Sequence, residues 1–233
     1  MNKRLLIGLL TACTVTWASE HALGHDIKPA SPWTSSSWSK TLADMPKGDS
    51  LKGEKLHRYG LCITCHGAKG IAPSRNAPSL AGNTVIYTYK TLMDYQQGRR
   101  AEGSGKSEVM RAATQPMSKQ DMADLAAYYA QQTLPEKQLT TNIPQKIDRL
   151  VRKGDSSRLL VPCASCHGAH GEGNGITPAL AGQTPDYFIR TMYAYKQGLR
   201  TNDVNEGMSQ FAHELTDAEI QALADYYATL SAQ

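Results

Sequence analysis

The chain of 233 residues contains two similar copies of one segment, and this duplication limits the fold more than any other feature. Residues 62–70 read Cys-Ile-Thr-Cys-His-Gly-Ala-Lys-Gly, and residues 163–171 read Cys-Ala-Ser-Cys-His-Gly-Ala-His-Gly. Further pairs of matching segments follow in the same order: 77–82 with 177–182, 95–100 with 195–200, and 122–129 with 220–227. Self-similarity over such a length indicates a duplicated domain, so one fold has to satisfy both copies.

The periodicity of apolar residues predicts an all-α fold. Residues 121–132 and 217–230 place apolar side chains at intervals of three and four, which is the helical period. Residues 85–97 and 185–197 also read as helices, and each is followed directly by a glycine. The sequence lacks the long alternating stretches that are typical of strands.

The composition between these segments predicts the domain boundaries. We expect the first domain at 47–133, a linker rich in Pro, Thr, Gln and Asn at 134–145, and the second domain at 146–233. Residues 25–46 match nothing in the second copy and are rich in Ser and Pro. We therefore expect a poorly ordered N-terminal arm there, although its two tryptophans are suited to docking on a surface.

The N-terminus is predicted to be an export signal over residues 1–24. Lys3 and Arg4 precede an uncharged run at 5–17, and small residues suitable for cleavage follow. Two alternatives stay open: the run is an anchor that is never removed, or Cys13 is acylated, since Leu-Thr-Ala-Cys resembles a lipobox. Either alternative would associate the chain with a membrane.

The Cys-x-x-Cys-His motif has the spacing of a covalent haem c attachment site. Two thiols at this spacing reach two vinyl groups on one edge of a porphyrin, and the adjacent histidine then ligates the iron. Each copy is small for a self-sufficient core and the chain has only two Phe, so a buried macrocycle would supply missing apolar volume. We therefore predict two covalently attached haem c groups, held by Cys62, Cys65, His66, Cys163, Cys166 and His167.

Other functions of these motifs fit the chain less well. A redox-active cysteine pair would require a βαβ context, which the sequence lacks. A zinc site formed by all four motif cysteines would leave the following histidine of both copies without a role. The 25 Lys and Arg nearly balance the 21 Asp and Glu, so composition gives no indication of nucleic-acid binding.

The second axial ligand decides between a carrier and a catalyst. A methionine closes the iron and raises its potential, whereas an open position binds small molecules. Alignment of the copies from their closing Tyr-Tyr pairs places Met110 opposite Met208, which is the one shared methionine position. We predict that both are axial ligands. The alternatives are that they are ordinary core methionines, or that Met117 is the ligand in the first domain.

Taken together, these motifs resemble the di-haem cytochrome c4 family over about residues 47–233. The shared features are Cys-x-x-Cys-His-Gly, Pro-x-Leu-Ala-Gly, Tyr-x-x-Gly-x-Arg, the methionine and the closing Leu-Ala-x-Tyr-Tyr helix. The resemblance implies two tandem class I cytochrome c domains whose haem propionates face each other. It implies the axial pairs His66 with Met110 and His167 with Met208. One departure is that Gly53 corresponds to Ile147, so we expect a close helix crossing only in the first domain.

Weaker predictions concern the surroundings of the haems. A ligating histidine donates its other N–H to a fixed acceptor, and the resemblance gives this role to the carbonyls of Pro78 and Pro178; the alternative is ordinary loop prolines. The candidates for pairing with propionates, which could equally be solvated helix ends, are Tyr95, Arg100, Tyr195 and Arg200. The histidines without a counterpart in the other copy, which we expect on the surface or in loops, are His57, His170 and His213.

The resemblance implies an electron carrier rather than an enzyme, in the periplasm or associated with a membrane. The expected partners are an upstream donor, such as another cytochrome or a small copper protein, and a downstream terminal oxidase. A di-haem peroxidase or sulfur-compound oxidoreductase would need an open iron, whereas both copies keep the methionine. A haem subunit of a larger respiratory complex would use the same electron-transfer chemistry.

Overall fold

The computed structural model describes residues 31–103, 105–135 and 143–230. The predicted signal at 1–24, with Cys13, and most of the predicted linker lie outside the described residues. Within the described ranges the chain is helical, with two isolated bridges and no strand, which confirms the all-α prediction. None of the described helices is long and apolar enough to span a membrane.

The N-terminal half consists of an arm helix and five helices of the first domain. They are α1 (Ser35–Ala43), α2 (Ser50–Tyr59), α3 (Cys62–His66), α4 (Val85–Gln96), α5 (Gly105–Thr114) and α6 (Lys119–Ala130). A capping box starts α6: the Ser118 hydroxyl accepts from the Asp121 N–H, and the Asp121 carboxylate accepts from the Ser118 N–H. This cap is the reason why α6 begins before the predicted residue 121.

The second domain repeats this design. Its helices are α7 (Gln145–Lys153), α8 (Ala164–His167), α9 (Pro185–Lys196), α10 (Ser209–Glu214) and α11 (Asp217–Thr229). Thr216 and Glu219 form the predicted capping box at the start of α11. Each domain has its own hydrophobic core, built largely from the closing helix, α6 or α11, and the helix packed on it, α4 or α9. The boundaries at 47–133 and 146–233 stay a prediction.

The two domains differ where their first and last helices cross. In the first domain α2 packs closely on α6, and a Cβ on Gly53 would lie only 2.0 Å from the Asp124 carbonyl oxygen. In the second domain the buried Ile147 takes this position, and α7 makes a less intimate contact with α11. The crossing is therefore close in the first domain only, as expected from the Gly53 position.

The expectation of poor order in the arm is wrong for residues 31–46. Trp33 and Trp38 are only 4% and 5% exposed, and their rings pack edge to face with centroids 5.4 Å apart. Leu42 and Met45 pack on the core of the first domain as well. Burial of two large aromatic side chains stabilises the arm enough to offset its low helical propensity.

Candidate haem-binding site

A cavity of about 1670 Å³ lies between the two domains. This exceeds the roughly 300–1,000 Å³ of an ordinary ligand pocket, so the cavity has room for more than one bulky group. Both attachment motifs reach it. The predicted site residues on its wall are Cys65, His66, Pro78, Met110, Cys163, Cys166, His167, Pro178 and Met208. Cys62 is the exception, since it lies half-buried beside the Gly60 carbonyl rather than on the wall.

The motif cysteines are free thiols. Among the residues that the structure describes, no group of three or more His, Cys, Asp or Glu converges as a metal site, so the zinc alternative has no support. Burial raises the pKa of the Cys62 and Cys163 thiols, which keeps them protonated at neutral pH. Two free thiols at this spacing in each copy are the groups that covalent haem attachment requires.

Both motif histidines are buried and oriented by a proline carbonyl. His66 Nδ1 lies 2.9 Å from the Pro78 oxygen, and His167 Nδ1 lies 3.0 Å from the Pro178 oxygen. Because a carbonyl only accepts, each Nδ1 carries the hydrogen and leaves the Nε2 lone pair available to a metal. Burial lowers the pKa of both imidazoles and so favours this neutral, ligating form.

The glycine after each histidine is required by the backbone turn that ends the motif helix. Gly67 has a φ of 72°, and Gly168 has a φ of 85°. A Cβ on Gly67 would lie 2.1 Å from the Ile71 carbonyl oxygen, so no other residue fits this turn. The glycine of Cys-x-x-Cys-His-Gly is thus part of what directs the histidine towards the cavity.

Both predicted methionines lie on the cavity wall, Met110 in α5 and Met208 at the residue that caps α10. Met117 instead packs on the core of the first domain, so its position does not favour the alternative ligand. The Asp203 carboxylate accepts from the backbone N–H of Met208 at 2.7 Å and of Ser209 at 2.8 Å. Asp203 therefore fixes the backbone that carries Met208, a role that no motif of the sequence indicated.

The paired tyrosines and arginines lie at the domain interface rather than at solvated helix ends. Arg100 and Arg200 are only 4% and 3% exposed. Each guanidinium lies over the tyrosine of its own domain, 4.7 Å from the Tyr95 ring centre and 4.5 Å from the Tyr195 ring centre. Arg100 also donates to the Tyr187 hydroxyl of the other domain at 3.0 Å.

The charges of the two arginines are unequally balanced. Arg100 pairs with Glu102 at 2.6 Å, whereas Arg200 donates to the neutral Asn202 side chain and, within the described ranges, makes no salt bridge. A buried guanidinium without a counter-charge is costly unless an anion approaches it. This excess of buried positive charge in the cavity fits the carboxylates of haem propionates.

Two amide side chains join the domains beside the proline carbonyls. The Gln183 side chain accepts from the Ser79 N–H at 3.0 Å and donates to the Ser79 carbonyl at 2.9 Å. The corresponding Asn83 accepts from the Ala179 N–H at 3.1 Å. Ser79 and Ala179 directly follow Pro78 and Pro178, so the interface also fixes the carbonyls that orient the histidines. Sequence reasoning missed this pair, although both residues follow the repeated Leu-Ala-Gly directly.

His57 is not a surface residue, which corrects the prediction for one of three histidines. It is 1% exposed, and its Nε2 lies 3.1 Å from the Gly67 carbonyl oxygen. Its Nδ1 lies 2.8 Å from the Tyr129 hydroxyl, which donates to it because Nε2 must carry the hydrogen for the carbonyl. His170 and His213 are exposed, as predicted.

The family model, the similar sequences and the similar solved structures agree with one another. The Cytochrome c family model matches residues 50–133 and 157–231. Cytochrome c4 of Thiocapsa roseopersicina is 36% identical over 79% of this chain and 94% of that protein. The thiosulfate dehydrogenase electron acceptor of Stutzerimonas stutzeri strain A1501 is 30% identical over 79% of this chain and 88% of that protein. The structure of reduced recombinant cytochrome c4 from Pseudomonas stutzeri superposes with a TM-score of 0.66 at 28% identity, covering 78% of this chain and 99% of that one.

Proposed function

This chain belongs to the di-haem cytochrome c4 family, and we propose that it carries electrons in the periplasm from an upstream donor to a terminal oxidase. Its axial pairs are His66 with Met110 and His167 with Met208. The observation that carries the proposal is that each half of the cavity presents one carbonyl-bound histidine and the methionine of the repeated position, Met110 or Met208. Met192 also reaches the wall, but it is a buried member of the second domain's core. If histidine and methionine occupy both axial positions of each iron, no coordination position is left for a substrate, and such irons suit an electron carrier.

When bound, haem c supplies a one-electron couple whose potential a methionine ligand raises. The protein's own contribution is to limit rearrangement. The proline carbonyls hold each imidazole in one orientation and tautomer, and the interface amides hold those carbonyls in turn. The two arginines of the interface are suited to hold propionates and so keep the haem edges of both domains close together.

The identity of the donor admits a second candidate. One relative is named a thiosulfate dehydrogenase electron acceptor, which favours a sulfur-compound-oxidising enzyme as donor over another cytochrome or a small copper protein. A stopped-flow comparison separates these donors: the oxidised protein is mixed with each reduced donor, and the physiological one should reduce it within milliseconds to seconds and with strong salt dependence. A donor is excluded when it reduces the protein no faster than reduced free haem does.

The carrier assignment is tested by a carbon monoxide titration of the reduced holoprotein at neutral pH. We expect no binding at either haem, because both distal positions are closed by methionine sulfur. Met110→Ala and Met208→Ala should each open one haem to carbon monoxide, while the control Met117→Ala should open none. If one haem of the unaltered protein binds readily, that iron has an open position and the protein is an enzyme, such as a peroxidase or a sulfur-compound oxidoreductase.

A further inference from the structure

The N-terminal arm is anchored in the first domain through a buried carboxylate. The Trp33 indole donates to Asp94 at 2.5 Å, and Asp94 is completely buried in α4. The Arg99 guanidinium stacks on the Trp33 ring at 4.1 Å from its centre. The second copy has Ala194 where the first has Asp94, so this anchor exists on one side of the molecule only.

The same arm is also bonded to the second domain. The backbone N–H of Asn205 donates to the Trp33 carbonyl at 2.9 Å. The Asn205 side chain accepts from the Ser35 N–H at 3.1 Å and donates to the Ser35 hydroxyl at 2.6 Å. Asn205 has a φ of 52°, a left-handed conformation that asparagine tolerates better than most residues. The arm is therefore hydrogen-bonded to a turn at Asn205, three residues before Met208.

Asp94 connects these two attachments. Its carboxylate accepts from the Asn202 side chain at 2.5 Å and from Lys90 at 2.6 Å, and Lys90 also donates to the Asn202 carbonyl at 2.6 Å. Asn202 belongs to the second domain and begins the segment that leads to Met208. Residues 202–208 are thus fixed at Asn202 by the first domain, at Asn205 by the arm, and at Met208 by Asp203.

We propose that residues 33–35 form a strap, joined to Asp94 and Asn205, that holds residues 202–208 of the second domain against the first domain and so positions Met208 at the haem. This proposal rests on the proposed function in one respect, because it takes Met208 to be an iron ligand. Trp33 and Asn205 are positioning residues, because they act on the sulfur through the backbone of this segment. The bonds that residues 33–35 make outside the arm, among the described residues, go to Asp94 and Asn205, so the strap acts on the sulfur of the second domain.

Two variants each weaken one attachment of the strap without disturbing the buried Lys90–Asp94 ion pair. Trp33→Phe keeps an aromatic ring but loses the donor to Asp94, which still has Lys90 and Asn202. Asn205→Gly keeps the left-handed backbone but loses both side-chain bonds to Ser35. Ser118→Ala serves as the control, because it weakens the cap of α6 and lowers stability but removes none of the hydrogen bonds of the strap.

The measurements are hydrogen exchange of residues 202–209 in the full-length holoprotein and carbon monoxide binding to its reduced form. In both variants we expect these amides to exchange faster, on the order of threefold or more, while those of residues 105–112 keep their rate. We also expect carbon monoxide to bind measurably at the second haem of both variants, whereas the unaltered protein binds none. Equal exchange in Trp33→Phe, Asn205→Gly and Ser118→Ala would overturn the strap. If the unaltered protein itself binds carbon monoxide at the second haem, the ligand role of Met208 fails, and the exchange rates alone decide whether the strap holds the segment.

Discussion

At the scale of single residues, the two domains differ directly behind the attachment motifs. In the first domain a neutral His57 joins the Gly67 carbonyl to the Tyr129 hydroxyl, and burial lowers the pKa of this imidazole. In the second domain the corresponding position is the buried Val151. The Tyr227 hydroxyl there has no oxygen or nitrogen partner among the described residues. Within the described part of the chain, a buried imidazole thus supports the first motif, whereas in the second domain the Tyr227 hydroxyl contacts the motif through the Cys163 sulfur.

Replacement of His57 by valine should destabilise the first domain. His57→Val removes one hydrogen bond from each of two interior groups, so among the described residues the Gly67 carbonyl keeps only the Gly70 N–H and the Tyr129 hydroxyl keeps only the Cys62 sulfur. At roughly 0.5–1.5 kcal/mol for each bond, the loss in the free energy of unfolding is about 1–3 kcal/mol. The added change Tyr129→Phe should recover part of this loss, since it removes the hydroxyl that has lost its nitrogen partner. Denaturant unfolding of the holoprotein measures both effects, with the exposed His213→Val as control. A loss no greater than that of the control would contradict the buried role of His57.

The residues of the site could mostly be predicted where chemistry repeats, with Asn83 and Gln183 as exceptions, and were missed where it does not repeat. His66 and His167 stand out because the motif that contains them occurs twice. His57 was read as a surface residue because it has no counterpart in the other copy, and comparison of copies cannot detect a residue that acts in one copy only. Asp203 was missed for the same reason, since the Asp203–Met208 bond joins residues without a repeated spacing.

At the scale of helices, the crossing of α2 and α6 depends on a single missing side chain. Gly53→Ala would bring a Cβ to 2.0 Å from the Asp124 carbonyl oxygen, which neither helix backbone can avoid without separation of the pair. We expect a loss of about 1–3 kcal/mol or more from this overpacking, measured as a lower thermal midpoint. Gly105→Ala is the matched control, because a Cβ there meets nothing within 4 Å and alanine favours the helix. Equal midpoints for the two variants would show that the crossing is not tight.

The start of α11 is expected to make stability depend on acid pH. Hydrogen bonds from Arg158 hold the pKa of Glu219 at about 2, below its ordinary value of 4.5. A depressed pKa stabilises the fold above the unfolded-state value, and this contribution is lost as pH falls from about 4.5 to about 2. Glu219→Gln should therefore lose stability at neutral pH, by about 1–3 kcal/mol, and converge with the unaltered protein near pH 2. Denaturant unfolding at a series of pH values measures this difference, and a constant difference across the range would refute the linkage.

Helices that have apolar residues at helical spacing and a glycine after their last turn could be predicted from the sequence, but the arm helix could not. The predicted helices at 85–97 and 185–197 end within a residue of α4 and α9, since a glycine follows each. Residues 35–43 show no comparable period, and their order depends on Trp33 reaching Asp94, a residue 61 positions away. Such a contact is decided by tertiary packing, which leaves no trace in local periodicity.

At the scale of the whole molecule, the two domains meet through equivalent residues that the sequence could identify but not bring together. The repeated Tyr-x-x-Gly-x-Arg segment predicts that Arg100 and Arg200 have one role in both copies. It does not predict that each guanidinium contacts a tyrosine of the other domain, Arg100 with Tyr187 and Arg200 with Tyr87. Because each arginine contacts a tyrosine of the other domain, the loops that carry Arg100 and Arg200 together form one buried, positively charged region between the haem sites.

This shared charge should raise the reduction potentials, because a buried cation disfavours the more positive oxidised iron. Arg200→Gln removes the guanidinium whose side-chain partners among the described residues, Asn202 and Tyr87, are neutral, so no carboxylate of the protein itself loses its partner, whereas Arg100→Gln would leave Glu102 unpaired. We expect at least one of the two potentials to fall by an amount on the order of tens of millivolts. A spectroscopic redox titration of the holoprotein measures the shift, with the exposed Lys119→Gln as a control whose charge is screened by solvent and salt. A fall in both potentials would mean that one arginine acts on both haems across the interface, whereas unchanged potentials would mean that the guanidinium only supports the packing of the domains.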